Sequence, residues 1–323
     1  MTTSNPHAPA GQSIARTRDE ARRQRDGVTA EAVTFPAAGL PLAGVVYRPA
    51  GATGALPAAV ITGTWTSIRE QMADRYAARL AARGFTTLAF DHTGYGASAG
   101  ALRDYESPAL KTRDINAAVT YLSSRTDLAD PDRIGALGVC AAAGYTTSNA
   151  MTDPRVRTLA LIAPWLHDAA IVAENYGGPD GIADRMRAAA LARSRYEASA
   201  DVAYVPAVGG SDPLAAMAFD IDFYQNPDRG ALATWPNRFA VMAWPGWLTY
   251  DPISLAPHLH QPTLVVHSDQ AAIPAGAHRF ADALTAPKQI EWLDGTQFDF
   301  YDDDTHVDAA VDLAATHLTA TLS

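Results

Sequence analysis

The stretch "RIGALGVCAAAGYTT", residues 133–147, decides how this sequence folds. From Arg133 to Val139 it is a short apolar run of the kind that forms a buried strand. From Cys140 onward it is small, weakly polar and helical in character. Cys140, where the two halves meet, is the single cysteine among 323 residues. A strand that becomes a helix over one residue forces that residue into a strained backbone conformation and crowds the positions two before and two after it. Gly138 and Ala142 stand at those positions. The segment thus reads as a nucleophile elbow in which the usual G-x-S-x-G is altered twice, with Cys in place of Ser and Ala in place of the second Gly. A thiol at a helix N-terminus lies in the positive end of the helix dipole, which predicts a lowered pKa and a thiolate. The other reading of Cys140 is a small buried residue, the commonest role of a lone cysteine.

Outward from the elbow, strand-like and helix-like runs alternate, as in a mostly parallel sheet covered on both faces. "EAVTFP" and "LAGVVYRP" read as an opening hairpin, "LPAAVITG" as a buried strand, "FTTLAFD" and "DRIGALGV" as the next two, and "VRTLALIAP" as the one after the elbow helix. Ile68, Met72, Tyr76 and Leu80 recur at a spacing of four and predict an amphipathic helix ended by Gly84. Residues 107–124 predict another, with Ile115, Val119 and Leu122 inward. The alternation stops near Trp165 and resumes near Leu259. It ends with "QPTLVVHSD", "GAHRFADALTA", "KQIEWLDG" and a closing helix around "HVDAAVDLAATHLTAT".

The expected organisation is a polar N-terminal arm over residues 1–27, an α/β core over 28–164 and 260–323, and a lid or cap insertion over 165–259. The insertion holds one helical piece, "IADRMRAAALARSRYEA", and no parallel strand. "GGPDG" and "VGGSD" read as isolated turns within it. Its aromatic residues, Trp235, Trp244, Trp247, Phe223, Tyr224 and Tyr250, are expected either to line an apolar pocket or to form the insertion's own core. Ligands of open α/β sheets bind at the carboxyl edge of the strands, the edge a lid would cover.

This order of elements, with the elbow and the lid, resembles the α/β-hydrolase superfamily. "GTWTSIREQMADRYAARLAARGFTTLAFDHTGYGAS", "DPDRIGALGVCAAAGY" and "GTQFDFYD" resemble its dienelactone-hydrolase-like branch, which includes uncharacterised bacterial hydrolases and fungal polyketide transferases. The resemblance covers about residues 30–320 and implies an α/β-hydrolase fold with a helical lid insertion. It implies backbone N–H donors for an oxyanion from Ala141 and from Thr64 or Trp65, with Gly63 allowing close approach. The loop "TGTWTS" reads equally as a strand-to-helix turn in which Thr66 or Ser67 caps the helix. Asp269 matches the position of the family's carboxylate. The position of the catalytic His is held by Gln297, which cannot accept a proton near neutral pH. Three accounts stay open. Another His supplies the base, His306 and His92 being the candidates; Cys140 reacts as a preformed thiolate, with Gln297 holding substrate or oxyanion; or no acyl-enzyme forms.

The function expected is acyl transfer on an ester, lactone or thioester of a mostly apolar small molecule. Cys140 would be the nucleophile, and Trp244, Trp247 and Tyr224 would contact the substrate. A non-hydrolytic biosynthetic enzyme (a cyclisation or elimination) and a silent binding protein are the alternatives. With 25 Lys and Arg against 35 Asp and Glu the formal charge is −10, which speaks against nucleic acid or an anionic membrane as partner. One cysteine allows no internal disulfide. Asp299, Asp302, Asp303 and Asp304 read as turn formers and helix caps rather than metal ligands, and no metal or cofactor is expected. No run reaches the roughly 18 apolar residues of a membrane span. A cytoplasmic enzyme is the expectation, with the arm solvated or docking a second copy in a homodimer.

Overall fold

The computed structural model describes residues 27–323 apart from Ser211 and Pro213. Of the expected arm only Gly27 falls among the described residues. The chain opens with the hairpin β1 (Val28–Ala37) and β2 (Leu40–Pro49), in antiparallel register. Ala38 and Gly39, its turn, both have positive φ (47° and 82°), which matches the twist of a two-residue hairpin. Next come β3 (Leu56–Thr62), α1 (Ala73–Ala81), β4 (Thr86–Phe90), α2 (Pro108–Ser124), β5 (Ala129–Val139), α3 (Ala142–Thr152) and β6 (Val156–Ile162). The insertion holds α4 (Ala169–Asn175), α5 (Gly178–Ser199), β7 (Tyr204–Pro206), α6 (Asp222–Gln225), β8 (Arg238–Ala240) and α7 (Trp244–Leu248). After it run β9 (Thr263–His267), α8 (Pro274–Ala283), β10 (Lys288–Trp292), α9 (Asp299–Asp302) and α10 (Asp304–Thr321).

The main sheet has eight strands in the order β1-β2-β4-β3-β5-β6-β9-β10. β2 pairs antiparallel with its neighbours β1 and β4, and every pairing from β4 to β10 is parallel. Strands β4 and β9 are buried at every position, and β3 and β6 at nearly all. Such continuous apolar runs need cover on both faces. In the core, α1 packs with α10 and α2 with α3. This is the α/β-hydrolase architecture.

Three local expectations change. The stripe beginning at Ile68 opens with a 3₁₀ turn over Arg69–Gln71 and becomes α-helical only at Ala73. Ahead of it the side chain of Gln71 takes the Ile68 N–H (3.0 Å), Asp91 takes the Arg69 N–H (2.9 Å), and Met72 departs from helical geometry at φ −152°. Neither Thr66 nor Ser67 caps α1. Thr66 is left-handed (φ 56°) and gives its N–H to Glu106, while the Ser67 hydroxyl turns back to the Thr64 carbonyl. "GGPDG" is no isolated turn but the start of α5, with Gly177 and Gly178 at positive φ and Pro179 inside the first turn, where its missing N–H costs nothing.

Candidate active site

Cys140 occupies the corner between β5 and α3 at φ 58°. The left-handed conformation is strained for a residue with a side chain, and the surroundings hold it. Its N–H is bonded to the Ile162 carbonyl on β6 at 3.0 Å. A Cβ at Gly138 would stand 2.7 Å from the Ala142 carbonyl oxygen and 2.8 Å from the Ala143 nitrogen. The glycine there is a steric requirement of the corner.

The backbone N–H groups of Ala141 and Trp65 and the Tyr301 hydroxyl stand around Sγ and favour its anion. Even so, burial pushes the thiol up, to about 11. The thiolate expected from the helix terminus is therefore not the resting form. Losing the hydration of an anion costs more than the helix end and the three donors return.

The loop that carries the Trp65 N–H is clamped from both sides. From the insertion, Tyr224 bonds the Thr64 hydroxyl at 2.7 Å, Trp235 Nε1 donates to the Thr66 carbonyl at 2.8 Å, and Trp247 stacks on Trp65 with centroids 4.8 Å apart. From the core, the wholly buried Glu106 accepts the Thr66 N–H at 2.9 Å. The same carboxylate takes the Tyr95 and Tyr145 hydroxyls (3.0 and 2.6 Å) and Lys111 Nζ (2.8 Å). Filling each oxygen of a buried carboxylate in this way fixes the backbone it bonds to.

Gln297, 6% exposed, faces the elbow with every polar atom engaged. Its Oε1 accepts the Ala272 N–H at 3.0 Å, and its Nε2 donates to the Ala163 carbonyl at 2.9 Å and to the Tyr301 oxygen at 3.1 Å. Tyr301 thereby connects Gln297 to Sγ. Among the remaining candidates, Asp269 is at the surface, 77% exposed at its side chain. It accepts from Trp292 Nε1 at 2.7 Å and stands 3.8 Å from His278. It makes no contact with Gln297, because the chain after β9 turns its carboxylate outward. His306 is held by Asp303, the N-cap of α10, at 2.6 Å and packs on Phe300. His92 is buried on Phe90, 3.6 Å from Asp114, and burial pushes its imidazole below the ordinary value. Neither imidazole lines the cavity above Cys140. The aspartates after Gln297 have structural partners: Asp299 takes the Thr296 N–H and hydroxyl, Asp302 pairs with Arg229, and Asp304 with Arg79.

That cavity has a volume of about 560 Å³ and its lining is mostly apolar, within the size range of small-molecule sites. Cys140, Thr64, Trp65, Gln297 and Tyr301 border it, together with Tyr224 and Trp247 of the insertion. Trp244 stands behind this wall, against Trp65, Phe239 and Tyr176. Phe223, Trp235 and Tyr250 likewise pack elsewhere. Among the described residues that line the cavity there is no carboxylate and no imidazole. Sequence reasoning passed over Tyr301, Glu106 and Tyr176 as parts of this site. Tyr301 alone had a local signal, being one helical turn after Gln297.

Comparison with known proteins agrees with this fold. A family model described as PET hydrolase-like matches residues 6–174, which include the Thr64–Ser67 loop and the corner at Cys140. An uncharacterised protein of Escherichia coli K12, YcjY, is 28% identical over 292 residues, 87% of this chain and 94% of that one. The thiohydrolase aneE of Aspergillus aculeatus is 27% identical over 250 residues, 74% of this chain and 77% of that one. Among solved structures, the α/β hydrolase GrgF of Penicillium sp. sh18 superposes with a TM-score of 0.79 at 19% identity, covering 91% of this chain and 99% of that one.

Proposed function

This chain belongs to the PET hydrolase-like family, an α/β-hydrolase enzyme by fold and descent, and on that premise we propose that it transfers acyl groups through Cys140. The substrate is an ester, lactone or thioester of a mostly apolar small molecule, and residues 165–259 act as the lid that encloses it. One observation carries the reading: the N–H groups of Ala141 and Trp65 both stand beside the sulfur of a residue held at φ 58°. Two such donors beside a nucleophile are what a tetrahedral oxyanion requires.

In this reading Sγ attacks the carbonyl carbon, the oxyanion accepts from the Ala141 and Trp65 N–H groups, and the Tyr301 hydroxyl supports charge on sulfur. The thiol proton ends on the departing alkoxide or thiolate, which leaves as the alcohol or thiol. Gln297 has no means of activating water. Water or an alcohol then discharges the thioester, its proton passing to Sγ as the sulfur leaves, and the lack of a carboxylate or imidazole among the described lining residues slows both alike.

The test is intact-protein mass spectrometry after brief exposure to activated esters and acyl thioesters, with Cys140→Ala alongside. The expected result is a mass gain equal to the acyl group in the wild type and none in the variant. A second reading, a cyclisation or elimination without an acyl-enzyme, draws support from Gln297 at the position where the resemblance implies a catalytic histidine. It predicts no adduct, and undiminished turnover of its substrate by Cys140→Ala.

A further inference from the structure

The one formally charged residue among the described lining residues of the cavity is Arg185, from α5. Its guanidinium is placed by contacts on three sides. Nη1 donates to the Tyr176 and Gly181 carbonyls, each at 3.0 Å. The plane lies 5.1 Å from the Tyr176 ring and 5.2 Å from the Trp244 ring. These contacts leave the edge formed by Nε and Nη2, which has no acceptor among the described residues. That edge is the one a carboxylate engages with two parallel hydrogen bonds. The other arginines of α5 differ. Arg187 pairs with Asp184, Arg195 with Asp201, and Arg193 reaches the Tyr105 hydroxyl. In a chain of formal charge −10, this half-buried arginine borders an apolar cavity with no carboxylate paired to it among the described residues, and a guanidinium so placed is open to a counter-charge brought by a ligand.

We propose that Arg185 is a carboxylate-binding site, so that the substrate carries a free carboxylate remote from the carbonyl that Cys140 attacks. The inference rests on the acyl-transfer reading and adds a substrate class to it. Tyr176 links the two ends. Its ring is under the guanidinium, its hydroxyl accepts from Trp247 Nε1 at 2.6 Å, and Trp247 stacks on the oxyanion-loop Trp65. The carboxylate end and the reacting end are thus held by one connected wall. A carboxylate suits the site better than a phosphate monoester, which carries nearly two charges and three acceptor oxygens where the cavity offers one cation.

The experiment compares p-nitrophenyl hydrogen suberate with its methyl ester, equal in length and differing in one charge, on wild type, Arg185→Met and Arg185→Lys. p-Nitrophenol release measures acylation. In the wild type the acid is expected to react at least tenfold faster than the methyl ester. Arg185→Met should bring the ratio to about one, and Arg185→Lys should keep only part of the preference, because an ammonium cannot make the two-point contact. The ratio decides, so a general loosening of α5 in the variant, which slows both esters, does not disturb the result. An equal ratio in wild type and Arg185→Met, or a wild-type preference for the methyl ester, overturns the assignment. If neither ester acylates Cys140, the parent reading fails and the site is read by calorimetry with suberic acid monoamide. At least tenfold weaker binding to Arg185→Met upholds the carboxylate site, and equal affinity overturns it. Octyl phosphate binding more tightly than octanoate would also overturn it, in favour of a phosphate.

Discussion

The two sides of the cavity are built differently. On the elbow side, the N–H groups of Ala141 and Trp65 stand beside one sulfur, and the loop that carries the second is braced by Glu106 from the core and by Tyr224 and Trp235 from the insertion. On the facing side, Gln297 spends all its hydrogen-bonding capacity on Ala272, Ala163 and Tyr301, and Asp269 points to solvent. In the acyl-transfer reading proposed above, the first side is preorganised around charge that is not yet present, which is how an enzyme lowers a barrier. The second is satisfied in the resting state and holds the wall together. The contrast separates two tasks that a serine–histidine pair performs jointly, stabilising the oxyanion and moving the proton. Here only the first is assigned to fixed groups of the chain.

The contrast can be broken most severely at the sulfur. Because Cys140 is raised to about 11, its thiolate fraction should climb about tenfold per pH unit, roughly a thousandfold from pH 7 to pH 10. Iodoacetamide alkylation of the chain's one cysteine should follow that line without levelling. A plateau near neutral pH would mean a nearby base or a lowered thiol, and the two sides would no longer differ.

A smaller effect is expected at the bridge between them. Tyr301→Phe removes the hydroxyl that donates to Sγ and accepts from Gln297, and should slow acylation by about one to two orders of magnitude, in line with the loss of one charge-stabilising donor. A fall in thermal stability of about 1–3 kcal/mol should accompany it, since Gln297 Nε2 loses one of its buried partners. Unchanged acylation in a less stable protein would make Tyr301 a structural link only. The smallest effect sharpens the comparison: Asp269→Asn should leave acylation within about twofold, as for an exposed surface charge. A loss of tenfold or more would show that the facing side takes part in catalysis after all.

Much of this was legible in the sequence because the information is local. The elbow follows from the spacing of Gly138, Cys140 and Ala142, the opening hairpin from two short runs and the turn between them, and the insertion from the interruption of strand–helix alternation. Each requires only neighbours along the chain and the fixed periods of strand and helix. What tertiary structure decided depends on contacts between distant segments. Thr64 and Tyr224 are 160 residues apart, and Thr66 and Glu106 are 40 apart, yet these contacts set where the oxyanion donor points. The state of Cys140 depends on the same assembly. A helix terminus alone favours thiolate, but once the insertion and Tyr301 enclose the sulfur the lost hydration prevails and the thiol keeps its proton. Arg185 is one arginine among several along a helical run, and folding sets it at the cavity wall while Arg187 and Arg195 pair with Asp184 and Asp201. Charge and nucleophile identity are properties of residues; desolvation and counter-charge are properties of the places that the fold gives them.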